Sequence, residues 1–320
     1  MARVCFEITV RDSQHLIAWK TKGVTMGLSI VGATESASQL GRYPQLAPIP
    51  HRRQPVLSIT TVVRKLSGGS QSCLVQCNDR KLYVLKMHPN PQGPNVLANE
   101  ALGSMLLRGL GFLAPRWRPV TIDLKTVRFF PDLTMTTEEN ATVFPTFGIH
   151  FGSEYLGGPQ YNVYDFMPKS YAHRLRTTTQ LLPIYLFDVW ASHQDERQFI
   201  YQRDRDAPVY DKFFDTFCID NGHLFGGPNW SHVAGHSRGT CSAYIKPPIL
   251  GDPRIDQCLS VFEERIPGLL HHAIAAIPAE WHKDDIHMLY ARLLWRLEAI
   301  RTLVDWEIVR IARRGSEARY

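Results

Sequence analysis

Two acidic segments constrain this chain more than anything else in its 320 residues. One is Asp188-Val-Trp-Ala-Ser-His-Gln-Asp-Glu-Arg-Gln-Phe-Ile-Tyr201, the other Phe217-Cys-Ile-Asp-Asn-Gly-His-Leu-Phe-Gly-Gly227. Asp195 sits in a polar loop, Ser192 to Gln198, between an apolar run that predicts a helix (Leu181 to Ala191) and the strand-like Phe199-Ile200-Tyr201. Asp220 ends a short apolar run and is followed by Asn221-Gly222, a turn signal. A carboxylate there is poorly explained by packing, although a plain Asx-turn also accounts for it.

Upstream, the pattern from Val56 is a meander. Val56 to Lys65 is rich in β-formers, Ser67-Gly-Gly-Ser-Gln-Ser72 interrupts it, and Cys73-Leu-Val-Gln-Cys77 resumes it. Asn78-Asp79-Arg80 turns the chain into Leu82-Tyr-Val-Leu-Lys-Met87. A proline-rich loop follows, then Val96 to Leu110 places Leu97, Ala101, Met105 and Leu106 on one helical face, with Glu100 at its edge. Trp117 to Leu124 reads as a further strand. Residues 147–160 read as a glycine-punctuated loop, and 227–251 as another loop. Asp256 to Ala276 reads as one or two short helices, and Asp284 to Ile311 as one long helix. Residues 1–54, with Pro44, Pro48 and Pro50 near the end and Pro55 just beyond, read as a flexible or poorly defined arm.

Phosphoryl transfer needs one carboxylate near the attacking hydroxyl and another holding Mg²⁺ on the nucleotide phosphates. Asp195 suits the first role and Asp220 the second. Gly68, Gly69, Ser70 and Gln71 would present backbone N–H groups to phosphate, since glycine lets a backbone approach that closely. A simple Gly-Gly hairpin turn explains the same residues. Lys86 ends an otherwise apolar strand, which is costly unless it is paired, and Glu100 on the next helix is its candidate partner. A strand-end lysine reaching to solvent is the alternative. Arg197 or Gln198 would steady the loop or touch phosphate. The order of the five parts is that of protein kinases.

Composition limits the other classes. Hydrophobic content of 44% is that of a globular chain, and no run approaches about eighteen apolar residues, so no membrane span is expected. The start lacks an apolar core and is not read as a secretory signal. The net charge of +6 suits an anionic substrate or a plain basic surface. Its charges are interspersed, which argues against nucleic acid. Cys5, Cys73, Cys77, Cys218, Cys241 and Cys258 read as reduced thiols of a cytoplasmic protein. His193, His223, His232 and His236 read as structural or surface residues, with no Cys-x-x-Cys beside them to suggest zinc.

Taken together, Ser67-Gly-Gly-Ser-Gln-Ser72, Tyr83-Val-Leu-Lys86, Gly93-Pro-Asn-Val-Leu-Ala-Asn-Glu100, His150-Phe-Gly-Ser-Glu-Tyr-Leu156, Gln194-Asp-Glu-Arg-Gln198 and Phe217 to Gly227 resemble the HipA-like kinases. These are bacterial members of the protein-kinase-like fold, distantly similar to phosphatidylinositol kinases. The resemblance implies an α+β, two-lobed kinase domain at 55–313, followed by a tail at 314–320. Its small β-rich N-lobe is expected at about 56–125 and its mainly helical C-lobe at about 160–313. It implies Mg-ATP and transfer of the γ-phosphoryl group to a hydroxyl of a protein serine or a small molecule. Lys86 takes the phosphate-binding lysine, Glu100 its partner, Asp195 the catalytic acid and Asp220 the metal ligand. Relatives carry Asn-x-Asp-Arg where this chain has His193-Gln194-Asp195-Glu196-Arg197, and Gln198 is the nearest amide for a second metal ligand. That departure keeps two alternatives open: a catalytically weak nucleotide-binding scaffold or sensor, and an AMP transferase on the same fold.

Overall fold

A computed structural model describes residues 5–11, 14–21, 24–30 and 54–317, except 138, 177, 209–210, 232–251 and 283–284. His232, His236 and Cys241 lie outside the described residues. The chain forms two units, residues 1–45 and residues 46–320. Within the first, where an arm was expected, β1 (Cys5–Arg11), β2 (Gln14–Thr21) and β3 (Val24–Ile30) form an antiparallel meander. Its register sets Phe6 opposite Trp19, and Trp19 opposite Met26.

The second unit begins with a barrel. The strands are β4 (Leu57–Lys65), β5 (Cys73–Cys77), β6 (Leu82–Lys86), β7 (Trp117–Ile122) and β10 (Gly148–Glu154), in the closed order β10-β6-β5-β4-β7. Two-residue alternation explains the interior. Leu57, Ile59, Cys73, Val75, Cys77, Tyr83, Leu85, Val120 and Ile122 form one buried cluster. In β6 the same period turns Val84 and Lys86 the other way, toward the cleft described below. The segment 148–154 is therefore a strand and not a loop. Its hydrogen bonds to β6 and β7 extend the barrel to Glu154, beyond the expected limit near 125. Gly152 is what a loop reading overlooks: a Cβ there would lie 2.6 Å from Val120 Cγ2, so close strand packing requires glycine.

Around the barrel are α1 (Val96–Gly109), the short α2 (Leu124–Phe129) and the small hairpin β8 (Met135–Thr136) and β9 (Thr142–Val143). The rest is mainly helical, with α3 (Leu181–Trp190), α4 (Arg254–Ala275), α5 (Ile286–Glu298) and α6 (Ile300–Glu317). It also carries the antiparallel sheet β11 (Tyr161–Tyr164), β12 (Gln198–Asp204) and β13 (Asp215–Ile219). Helix α3 is apolar on every side apart from Asp188 because it lies inside the helical core, every residue except Pro183 being buried. The helix read from Asp284 to Ile311 is two, parted at Ala299, so that Leu289, Leu293 and Leu297 and then Ile300, Leu303 and Val304 all stay buried. No glycine or proline marks the bend, and the apolar period reads straight through it. None of the described helices is long and apolar enough to cross a membrane.

An aromatic cluster joins barrel to helices. Trp281 meets Trp117 edge-on at 5.4 Å between centroids and Phe151 at 6.3 Å, and its Nε1 donates to Ile149 O at 2.6 Å. Trp281→Ala is expected to lower stability by about 3–5 kcal/mol, measured by urea denaturation.

His150 is buried as a neutral ring: Nδ1 accepts from His88 N at 3.1 Å while Nε2 donates to Thr146 O at 2.9 Å. Burial disfavours its charged form and lowers its pKa to about 4, against the raising effect of the Thr146 bond. The unfolded ring titrates near 6.5, so unfolding takes up a proton between those values. Stability is expected to fall as pH drops from about 6.5 to about 4, by up to about 3 kcal/mol. A His150→Gln variant should lack that component of the pH profile in denaturant titrations from pH 4 to 7.

Candidate active site

The site lies in a cleft of about 680 Å³ between the barrel and the helical part. Its roof is the loop between β4 and β5, with Ser67, Gly68, Gly69, Ser70 and Ser72 on the wall. Gly68 has φ +129°, a conformation side chains rarely adopt, and nothing lies within 4 Å of where its Cβ would be. Gln71 turns away. Its amide donates to Thr136 O and accepts from Thr136 N, both at 2.7 Å, pinning the loop to β8. Of the four residues expected to form the cradle, Gly68, Gly69 and Ser70 line the cleft; Gln71 braces them.

At the floor, Lys86 Nζ donates to Glu100 Oε1 at 2.5 Å and to Asp220 Oδ1 at 2.8 Å. Three elements distant in sequence thus meet on one ammonium group: β6, α1 and the end of β13. Burial works against the Lys86 charge, and the two carboxylates outweigh it, so its pKa is raised. Burial would also raise Asp220, but Lys86 holds its carboxyl below the usual range. Glu100 is pushed up by burial against the pull of Lys86. Asp220 adopts φ +55°, the left-handed region that Asp and Asn tolerate best, and this turns the chain at the end of β13.

Asp195 and Gln198 also line the cleft, both exposed. Asp195 Oδ1 accepts from the Glu196 N–H at 2.7 Å. Arg197 does not reach the cleft wall. It is buried, with its guanidinium bound to both oxygens of Asp188 in α3, to Asn221 Oδ1 at 2.7 Å and to Ile219 O at 3.3 Å. The displaced arginine of the sequence thus ties the helix before Asp195 to the strand end that carries Asp220. His193 lies fully buried beside the same Asp188, and burial lowers its pKa. The backbones of the two loops are also joined: Gln194 N donates to His223 O (2.9 Å), Phe225 N to Ala191 O (2.7 Å) and Gly226 N to Ser192 O (3.1 Å).

Two groups of residues escaped the reading of roles from sequence. Asn99, buried in α1, donates from Nδ2 to the carbonyls of Gly222, Leu224 and Gly227 at 2.9, 3.0 and 3.2 Å, and accepts from Trp230 Nε1 at 2.7 Å. It fastens the segment after Asp220 to the helix that carries Glu100. The available signal was an amide inside an otherwise apolar helical face. The other group is Ser153 to Gly157, which lines the cleft where β10 leaves the barrel. Among the described residues, no group of three or more His, Cys, Asp or Glu could hold a metal ion alone. Asp220 and Gln198 offer one carboxylate and one amide, a set that suits Mg²⁺ completed by phosphates and water.

The chain matches no family model and no curated protein. Solved structures similar to it include the following. The proinflammatory kinase CtkA of Helicobacter pylori is 13% identical with a TM-score of 0.49, over 78% of this chain and 99% of that one. The Golgi casein kinase is 15% identical at 0.45, over 79% and 72%. The same kinase with Mn/ADP bound is 13% identical at 0.44, over 79% and 72%. All three TM-scores are below 0.5, and the functional reading rests on the geometry of the site.

Asn99→Ala removes the side-chain donor from the Gly222, Leu224 and Gly227 carbonyls, the last two of which keep a backbone N–H, and leaves the Trp230 indole N–H without its acceptor. The expected cost is about 1–3 kcal/mol in urea titrations, with faster amide exchange confined to residues 222–230.

Proposed function

We propose that this chain is an ATP-dependent phosphotransferase that moves the γ-phosphoryl group of Mg-ATP to a hydroxyl acceptor. The observation that carries the reading is the Lys86 ammonium held between Glu100 and Asp220 under a glycine loop, with Asp195 on the same cleft. A lysine held between two carboxylates is poorly explained as a packing device, because burying the Lys86 and Glu100 charges is costly. It is well explained as a phosphate ligand beside a metal-binding carboxylate.

On this reading, the N–H groups of Gly68, Gly69 and Ser70 and the Lys86 ammonium bind the phosphates, while Glu100 orients Lys86. Asp220, with Gln198 near it, would hold Mg²⁺, which neutralises charge on the phosphates. Asp195 accepts the proton of the acceptor hydroxyl. Ser153 to Gly157 would receive the base. Lys86 shares an Asp220 oxygen, so nucleotide and metal exchange one charge partner for another at that carboxylate. The acceptor, whether a protein serine or a small molecule, meets the cleft on the side of Asp195. The likeness to HipA-like kinases belongs to this proposal and supplies the same roles for Lys86, Glu100, Asp195 and Asp220.

The test is incubation with Mg²⁺ and ATP labelled on the γ-phosphate, using wild type, Asp195→Ala and Asp220→Ala. Label is expected to move in the wild type, with each variant losing about a hundredfold or more in rate. Transfer that survives in both variants would overturn the proposal. Nucleotide that raises Tm while no label moves in any form would identify a nucleotide-gated binder instead, and added adenylate mass would identify AMP transfer.

A further inference from the structure

A second cavity, of about 440 Å³, lies where the C-terminal half of α1 meets the starts of β6 and β7 and the end of β10. Its wall carries Arg108, Arg116, Arg118 and Lys81 against one carboxylate, Glu154, which Lys81 already pairs at 2.9 Å. Guanidinium groups gathered in one cavity repel one another and offer only donors. Elsewhere arginines meet acids: Arg301 pairs with Asp256 and Glu263, and Arg176 with Asp211. Here none of the three arginines has a carboxylate at ion-pair distance among the described residues. Arg108 gives one N–H to Ala114 O at 2.8 Å and Arg118 one to Pro55 O at 3.0 Å. Arg116 is exposed and makes no side-chain hydrogen bond among the described residues. The cavity therefore has a surplus of positive charge that no acid among the described residues balances.

We propose that this cavity binds a small phosphate-bearing anion and that its occupancy is felt by α1. Planar guanidinium forks match phosphate oxygens in pairs, and the volume is that of a small-molecule site. Ser104, one turn after Glu100, lines both this cavity and the cleft, as does Glu154. Arg108 follows one turn later on the same helix. An anion that draws Arg108 and Arg116 together fixes the helix that presents Glu100 to Lys86. The coupling to nucleotide rests on the proposed function; the anion site does not.

The probe is inorganic pyrophosphate, titrated into the full chain by calorimetry. Two exposed arginines allow matched charge reversals, Arg116→Glu in this cavity and Arg128→Glu in α2, which lines neither the cavity nor the cleft. Arg116→Glu should weaken pyrophosphate at this site about tenfold or more, with Arg128→Glu close to wild type. Pyrophosphate that enters the cleft competes with ADP in both variants, and occupancy of this cavity should add a further shift of ADP affinity in Arg128→Glu that Arg116→Glu lacks, since coupling between two sites is reciprocal. Absence of binding, or equal binding in the two variants, would overturn the site. An equal shift of ADP affinity in both variants would overturn the coupling. Failure of label transfer with pyrophosphate binding intact would remove the proposed reaction and leave the anion site standing.

Discussion

The Lys86 ammonium is the point on which the rest of the structure converges. A lysine buried without partners would cost several kcal/mol or lose its charge. Here Glu100 and Asp220 retain that charge and, in doing so, fix three elements at once. The strand brings the lysine, the helix brings one acid and the end of β13 brings the other. The helical part can approach the barrel in few ways that keep all three groups paired. The apolar contact of Trp281 with Trp117 and Phe151 supplies area for the same interface, and the ion triad supplies its register.

Behind the triad lies a layer of buried polar contacts that braces the segments carrying the cleft residues. Arg197 joins Asp188, Asn221 and Ile219 O, while Asn99 gathers three carbonyls and Trp230. Gly103 belongs to this layer because a Cβ there would come within 2.6 Å of Asn221 Cβ and Leu224 Cδ1. Arg296 adds a buried cation against the carbonyls of Val189 and Trp190, the exposed end of the α3 dipole, just before the loop that carries Asp195. These contacts are worth about 1–3 kcal/mol each when removed. Their larger effect is geometric, since polar networks in a low dielectric hold fixed positions.

Much of this was legible along the chain. The strand, glycine loop, strand and turn of residues 57–86 follow from β-branched alternation and glycine, α1 from apolar periodicity and α3 from a continuous apolar run. Lys86, Glu100 and Asp220 announced themselves as charges at the ends or edges of apolar runs. Other parts were not legible, for stated reasons. The strand 148–154 has glycines where close neighbours demand them, so its composition imitates a loop. The bend at Ala299 has no breaker residue, because packing against α3 sets it. Gln71 resembles a cradle residue, yet its amide is taken by Thr136, a partner 65 residues away.

Local chemistry therefore determined which residues stand out: a lysine ending an apolar strand, a glutamate at the edge of a helical face, an acid before Asn-Gly. Those are properties of a residue and its near neighbours, and a sequence displays them directly. Only the tertiary structure decided which of them share a partner. Lys86 and Asp220 are 134 residues apart, and Asn99 and Gly227 are 128 apart. No local preference encodes such pairs. They arise when barrel and helices close on a common apolar core and each buried polar group must find what remains within reach.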